Sequence, residues 1–222
     1  MLIPENDILL VDKPAGMTSF GVVARIRRVL SSQIGKKAKV GHTGTLDPFA
    51  TGLMIIVTGK TCRQAENFSK LDKWYEAEIK LGQTSSTGDP EGEISQVSSH
   101  QPDKQQIEAV LANFRGEIEQ TPPKFSAIKI DGQRAYKLAR KGQEIDMPKR
   151  KVQIFELEVV DYDYPILKIK AHVSSGTYIR TLAEDIGREL GTGAYCLNLR
   201  RTKIADYDLK QAKKLEDFGI NS

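Results

Sequence analysis

Asp47 is the first residue of this sequence that invites a chemical question. It stands in the stretch 40–59, VGHTGTLDPFATGLMIIVTG, where three glycines and a histidine lead into an apolar run that a fourth glycine closes. Glycine at this density lets the backbone take φ > 0 and lets another chain come close. Asp47-Pro48 reads as a turn, because proline presets φ and aspartate bonds to its own nearby backbone. Residues 53–58 read as a buried strand that anchors it. A carboxylate on a loop held by a core strand suits chemistry; it equally suits capping its own turn. Tyr75 falls on the apolar face of an alternating segment, with a polar tip that needs a partner. Arg180 falls in the first turn of a helix, where a cation opposes the macrodipole and calls for a nearby carboxylate. His42, from the residues alone, reads as a local hydrogen-bonder.

Other chemistries lack their residues. Gly59-Lys60-Thr61 imitates the end of a phosphate-binding loop, but the glycine required five positions earlier is Met54, and a strand runs straight into Gly59. His42, His100 and His172 match no metal-ligand spacing with Cys62 or Cys196, so no metal is expected. Triad members are recognised by geometry, and no Ser-His-Asp set stands out here. The two cysteines share no CxxC spacing, no apolar run approaches a membrane span, and the start MLIPE lacks the pattern of a signal peptide. A cytoplasmic protein with no membrane partner is expected.

The 222 residues, 39% hydrophobic and 28% charged, belong to the ordinary globular class and carry a net charge of only +4. The distribution of that charge says more. Lys13, Arg25, Arg27, Arg28, Lys36, Lys37 and Lys39 precede Leu46 with no acidic residue among them. Residues 121–151 hold nine basic and three acidic residues, so the rest of the chain is about nine negative. Such a division steers a polyanion toward one face and favours a nucleic-acid partner. Carboxylates act as nucleophiles as well as acids or bases, tyrosine stacks on a base, and arginine holds a carboxylate ionised. The set suits an enzyme acting on a flipped nucleotide.

The elements that must position these residues follow from periodicity. A strand at 8–11 ends in a turn, and Thr18 or Ser19 caps a helix burying Val22, Val23, Ile26, Val29 and Leu30. Residues 61–71 are weakly helical, and 73–81 alternate as a half-buried strand with Tyr75, Ala77, Ile79 and Leu81 on one face. A loop covers 82–92, and a helix opens at Pro102-Asp103. Residues 121–148 form a basic excursion with a short helix near 134–141; their thin apolar content suggests an arm lying against a partner rather than core. Strands at 152–160 and 166–173 suit an antiparallel hairpin. A helix capped by Thr177, a strand at 195–199 and a final amphipathic helix to about Phe218 complete the chain. Hairpins mixed with helices indicate α+β with a largely antiparallel sheet, in one domain over 1–222.

Six segments resemble the bacterial tRNA pseudouridine synthase B family in family order: DKPAGMTS (12–19), GHTGTLDPFATG (41–52), KWYEAEIKLG (73–82), TPPKFSAIKIDGQRAYKLARKG (121–142), SGTYIRTLAEDIG (175–187) and LRRT (199–202). The resemblance implies the pseudouridine synthase fold and the isomerisation of uridine 55 in the T-loop of tRNA by base flipping. The glycosidic bond breaks, the base rotates, and C1′ is rejoined to C5. It implies Asp47 as the catalytic aspartate, Tyr75 stacking on the uracil and Arg180 paired with the carboxylate. It also implies His42 intruding where the base has left, against the local reading, and substrate-binding positions at Lys13, Leu199 and Tyr178. No cofactor, metal or guide RNA is implied; the expected partner is the T-arm of tRNA, and a monomer is expected.

The alternative is a non-catalytic tRNA-binding protein on the same scaffold. The sequence departs from the family pattern at Ser85, where the first threonine of a T-x-T-x-D-x-x-G loop belongs, at Val173 and Ser175, and at Ala205, where a glycine is usual. About twenty residues after LRRT are too few for a separate C-terminal PUA domain, so T-arm recognition is expected to rest on the catalytic domain alone.

Overall fold

The computed structural model describes residues 2–126, 128–130, 132–139, 141–143 and 145–220. Its strands are β1 (Ile8–Lys13), β2 (Val40–His42), β3 (Thr51–Thr58), β4 (Lys73–Leu81), β5 (Gln83–Ser85), β6 (Ile94–Gln96) and β7 (Gly116–Gln120). The later strands are β8 (Lys129–Ile130), β9 (Gln133–Arg134), β10 (Arg150–Asp163), β11 (Ile166–Val173), β12 (Ala194–Ile204) and β13 (Tyr207–Asp208). The α-helices are α1 (Ser19–Ile34), α2 (Ala65–Ser69), α3 (Lys104–Asn113), α4 (Ala135–Ala139) and α5 (Ile179–Glu189), with 3-10 turns at Gly59–Gln64, Leu209–Gln211 and Leu215–Phe218. The chain forms two compact units, residues 1–75 with 200–222 and residues 76–199, and β4 and β12 carry it from one to the other. No helix among the described residues is long and apolar enough to cross a membrane.

In the first unit β3 is the hub. β1 pairs with it antiparallel, Ile8 opposite Val57 and Lys13 opposite Gly52. β2 pairs antiparallel from Val40 opposite Thr58, and β12 pairs parallel through Arg200 and Arg201 opposite Thr51 and Gly52. Gly52 to Thr58 are all buried, a run without alternation that marks a strand covered on both faces. Leu53, Ile55 and Val57 pack with Ile204, Phe68, Tyr207 and Leu209 on one of them. α1 starts where Thr18 Oγ1 accepts the Gly21 N–H at 2.9 Å and stops at Gly35, whose φ is 68°. It buries Val22, Val23, Ile26 and Leu30, as the stripe requires, and lies against β2.

In the second unit the order is β12-β4-β11-β10-β7, with β10–β11 the long antiparallel hairpin and Val152 of β10 opposite Ile118 of β7. α3 begins in a capping box between Asp103 and Gln106 and packs against α5. The expected α+β class with a largely antiparallel sheet is the architecture found.

Four local expectations need correction. Residues 82–92 are not all loop, because β5 pairs with β6. The 121–148 excursion has its own small core, Ala135, Ile145 and Met147 packed with Ile128, Ile130, Leu138 and Ala139, so few apolar residues sufficed once a β8–β9 hairpin folded them together. Thr177 does not cap α5; Tyr178 takes the N-cap position while Thr177 Oγ1 donates to the Ser174 carbonyl at 3.0 Å. The last segment is not an α-helix. β12 extends to Ile204, Ala205 turns the chain with φ 44°, β13 pairs back, and two 3-10 turns follow. Leu215 and Phe218 are buried and Leu209 half-buried in those turns, which mimics helical spacing in the sequence.

Candidate functional site

The Asp47 loop is gripped from both sides within the first unit. Its turn is real: the Ala50 N–H donates to the Asp47 carbonyl at 3.2 Å, with Pro48 at the position that proline favours. On the N-terminal flank, buried Ser19 Oγ accepts the Leu46 N–H at 2.8 Å and donates to the Leu46 carbonyl at 2.9 Å. On the C-terminal flank, the Pro48 carbonyl accepts the Gly16 N–H at 2.8 Å and the Lys13 ammonium at 3.2 Å. Lys13 is wholly buried and also donates to the carbonyls of Pro14 and Met17 at 2.8 and 2.7 Å. The residues on each side of Asp47 are therefore fixed by backbone hydrogen bonds, and its half-buried side chain starts from a defined point.

The first unit holds two more buried cations. Arg201 Nε donates to the Leu53 carbonyl at 2.7 Å and Nη2 to the Gly44 carbonyl at 3.2 Å. Lys73 donates to the carbonyls of Ser69, at 3.1 Å, and Leu71. Burial first, and then the Arg201 guanidinium, bring the Lys73 ammonium down to about 8, against the pull of Asp72. Gly52, at φ 105°, admits the Arg201 backbone where any Cβ would collide with it. That glycine serves the protein's own chain. Tyr75 is buried on β4, as strand parity required, and His42 ends β2 opposite Ile56.

The second unit holds the other cluster. Arg180 is buried in the first turn of α5, 3.1 Å from the carboxylate of Asp89, which is equally buried. Arg180 also donates to the carbonyls of Thr87 and Phe125, each at 2.9 Å. Asp89 Oδ1 accepts Thr87 Oγ1 at 2.6 Å and the Glu91 N–H at 3.1 Å. Ser85, the departure from the family's first threonine, does the hydroxyl's work: its Oγ accepts the Thr87 N–H at 3.3 Å and donates to the Asp89 carbonyl. Tyr178 is held by Gln120, which accepts its N–H at 3.0 Å and donates to its carbonyl at 3.3 Å, with the Arg150 guanidinium 6.0 Å from its ring. Leu199 is buried on β12.

An open cavity of about 1300 Å³ in this unit is lined by Thr87, Thr121, Phe125, Met147, Glu184 and Arg188 among others. Burial pushes the Glu184 carboxyl up to about 7, with Asp185 and Asp89 adding to the rise and Arg180 and Arg188 opposing it. Sequence reasoning missed Ser19, Lys73, Asp89, Gln120 and Glu184. Asp89 had a signal, its place in the S-x-T-x-D-x-x-G loop; Lys73 had another, sharing the parity of Tyr75 on β4.

This α+β fold is that of the pseudouridine synthases. It superposes on a chain of a Cbf5–Nop10–Gar1 complex with a TM-score of 0.74 and 28% identity, over 96% of this chain and 53% of that one. It superposes on a chain of an H/ACA RNP bound to a substrate RNA containing 2′-deoxyuridine with a TM-score of 0.69 and 26% identity, over 95% and 51%. The chain thus spans about half the length of these solved chains.

Residues 27–179 match the TruB family pseudouridylate synthase (N terminal domain), and residues 180–220 match the tRNA pseudouridylate synthase B C-terminal domain. Proteins named tRNA pseudouridine synthase B from Parabacteroides distasonis and Phocaeicola vulgatus are each 44% identical, over 96% and 98% of this chain and 93% and 94% of theirs. One from Azoarcus sp. is 45% identical over 95% of this chain and 69% of its own. The chain belongs to the TruB pseudouridylate synthase family.

Proposed function

We propose that this enzyme isomerises uridine to pseudouridine at position 55 in the T-loop of tRNA, without a guide RNA. The observation that carries this is the end-to-end likeness to proteins named tRNA pseudouridine synthase B, with Asp47, Tyr75 and Arg180 all at the positions the family motifs require. The target nucleotide leaves its stack and is read outside it. The C1′–N1 bond breaks, the uracil turns, C1′ bonds to C5, the C5 proton departs and N1 gains one, so atoms and charge balance with no redox partner.

Asp47 is the catalytic carboxylate; attack at C1′, attack at C6 and assistance to elimination at C2′ are all open to it. Backbone grips on Leu46 and Pro48 support that role, since a reacting carboxylate gains from a fixed origin. Tyr75 stacks on the uracil, Arg180 steadies charge at the catalytic carboxylate, and His42 occupies the place that the base leaves. Lys13, Tyr178 and Leu199 line the substrate's position, Lys13 through the Pro14–Met17 turn it ties to Pro48.

A tRNA transcript with uridine at 55 should gain one pseudouridine there from the protein alone, and a transcript with cytidine at 55 should gain none. Modification elsewhere, or only after a guide RNA is added, would refute the assignment. Arg180→Met should keep RNA affinity and lose most turnover.

A further inference from the structure

Basic residues that this chemistry leaves unused gather at one pocket of the first unit. The pocket, about 520 Å³, has Lys36, Lys37 and Lys39 on one wall, after the Gly35 stop of α1, and Lys60 and Arg63 on the other. The walls are tied together: the Gly59 N–H donates to the Lys39 carbonyl and the Lys60 N–H to Asn6 Oδ1, both at 2.8 Å. Glu5, the one acidic residue lining the pocket, is engaged by Lys36 at 3.2 Å. Lys37, Lys39, Lys60 and Arg63 are exposed and form no ion pair among the described residues. Segments far apart in sequence thus bring four uncompensated cations to one concavity, against their mutual repulsion, which favours a polyanion as occupant.

The kind of anion follows from what the backbone withholds. A terminal phosphate or nucleotide is cradled by free amide groups, but the amides of Gly59 and Lys60 are already spent inside the protein. What remains are flexible ammonium groups, which hold phosphates as point charges and suit successive phosphodiesters rather than one oriented group. Gly59-Lys60-Thr61, rejected as a phosphate loop on its spacing, would contact phosphate after all, through Lys60's side chain.

We propose that this pocket is an RNA-docking site, holding backbone phosphates of the same RNA whose uridine is isomerised. It rests on the RNA-modifying reading above. The test compares the wild type with Lys37→Ala/Lys60→Ala and with Lys168→Ala/Lys170→Ala. The latter removes equal charge from β11, where both lysines pair with carboxylates. Affinity for a tRNA transcript is measured between about 50 and 200 mM salt, where each phosphate contact contributes roughly 0.7–0.9 to the slope.

The pocket variant should lower the slope by about 1.5 and weaken binding roughly tenfold. Its loss in kcat/KM should be recovered by raising RNA concentration, with the β11 variant behaving as wild type. Glu5→Gln, which releases Lys36, should steepen the slope by up to about 1, a gain that misfolding cannot imitate. Unchanged slopes in both pocket variants, an equal fall in the β11 variant, or a pocket-dependent Tm shift with inorganic phosphate and none in RNA binding would each overturn the proposal. If pseudouridine forms normally while the pocket variants bind as wild type, the pocket alone is refuted. If the wild type binds RNA with the expected slopes but forms no pseudouridine, the reading of function is what fails.

Discussion

Asp89→Asn is the perturbation whose size follows most directly from the structure. Asp89 and Arg180 are 5% and 3% exposed at the side chain and 3.1 Å apart, so water screens their attraction little. Removing one partner of a buried pair costs up to about 3–5 kcal/mol, and less where other groups still engage the remaining charge. Asparagine keeps the volume and an oxygen to accept Thr87 Oγ1 and the Glu91 N–H, bonds worth roughly 1 kcal/mol each. Arg180 keeps its bonds to the carbonyls of Thr87 and Phe125. The expected loss is therefore about 2–4 kcal/mol, from the lower part of that range upward. Urea unfolding of wild type, Asp89→Asn, Arg180→Met and the double variant forms a cycle that isolates the pairwise energy. The coupling should exceed about 1 kcal/mol, and Asp89→Asn should lower kcat more than it raises KM. A loss below about 1 kcal/mol with additive single effects would show that the pair does little to hold α5's first turn.

Three further outcomes are expected. Ser19→Ala strips both backbone groups of Leu46 of a buried partner and should cost about 2–3 kcal/mol in urea unfolding, with kcat falling more than KM rises; Ser19→Thr should restore part of both. Glu184 has a folded pKa of about 7 against an ordinary 4.5, so the native state holds its proton longer and stability falls as pH rises from 4.5 to 7. Glu184→Gln should remove that fall, worth at most about 3 kcal/mol, and flatten the Tm–pH profile over this window; an unchanged profile would mean the carboxyl titrates as in water. Ala205 sits at φ 44°, so Ala205→Gly should relieve roughly 1 kcal/mol of left-handed strain and raise Tm by a few degrees. A lower Tm would mean that backbone entropy outweighs the strain.

What was legible in the sequence was local. The Asp47-Pro48 turn, the buried run of β3 and the inward face of Tyr75 follow from turn chemistry and period-2 alternation, which depend on neighbours alone. The Thr18 cap and the α1 stripe were readable for the same reason. What escaped were partnerships across the chain. Ser19 meets Leu46 from 27 residues away and Asp89 meets Arg180 from 91, and no periodicity encodes such distances. Lys73 and Arg201 broke the rule that charge points outward, since backbone carbonyls accept hydrogen bonds from them in the interior. The final segment misled because 3-10 turns repeat every three residues and buried Leu215 and Phe218 at a spacing that a helix would share. At Ala205 the family pattern itself carried the missing information: a glycine position marks a left-handed turn whether or not glycine fills it.

The central claim is that Asp47 breaks and remakes a uridine's glycosidic bond in the T-loop, and release of tritium from C5-labelled uridine tests it most directly. With a T-arm or tRNA transcript, protein and buffer alone, the wild type should release the label from one uridine per RNA, at position 55. Asp47→Ala should bind the same transcript and release none. No release from the wild type, or release by Asp47→Ala at the wild-type rate, would contradict the account.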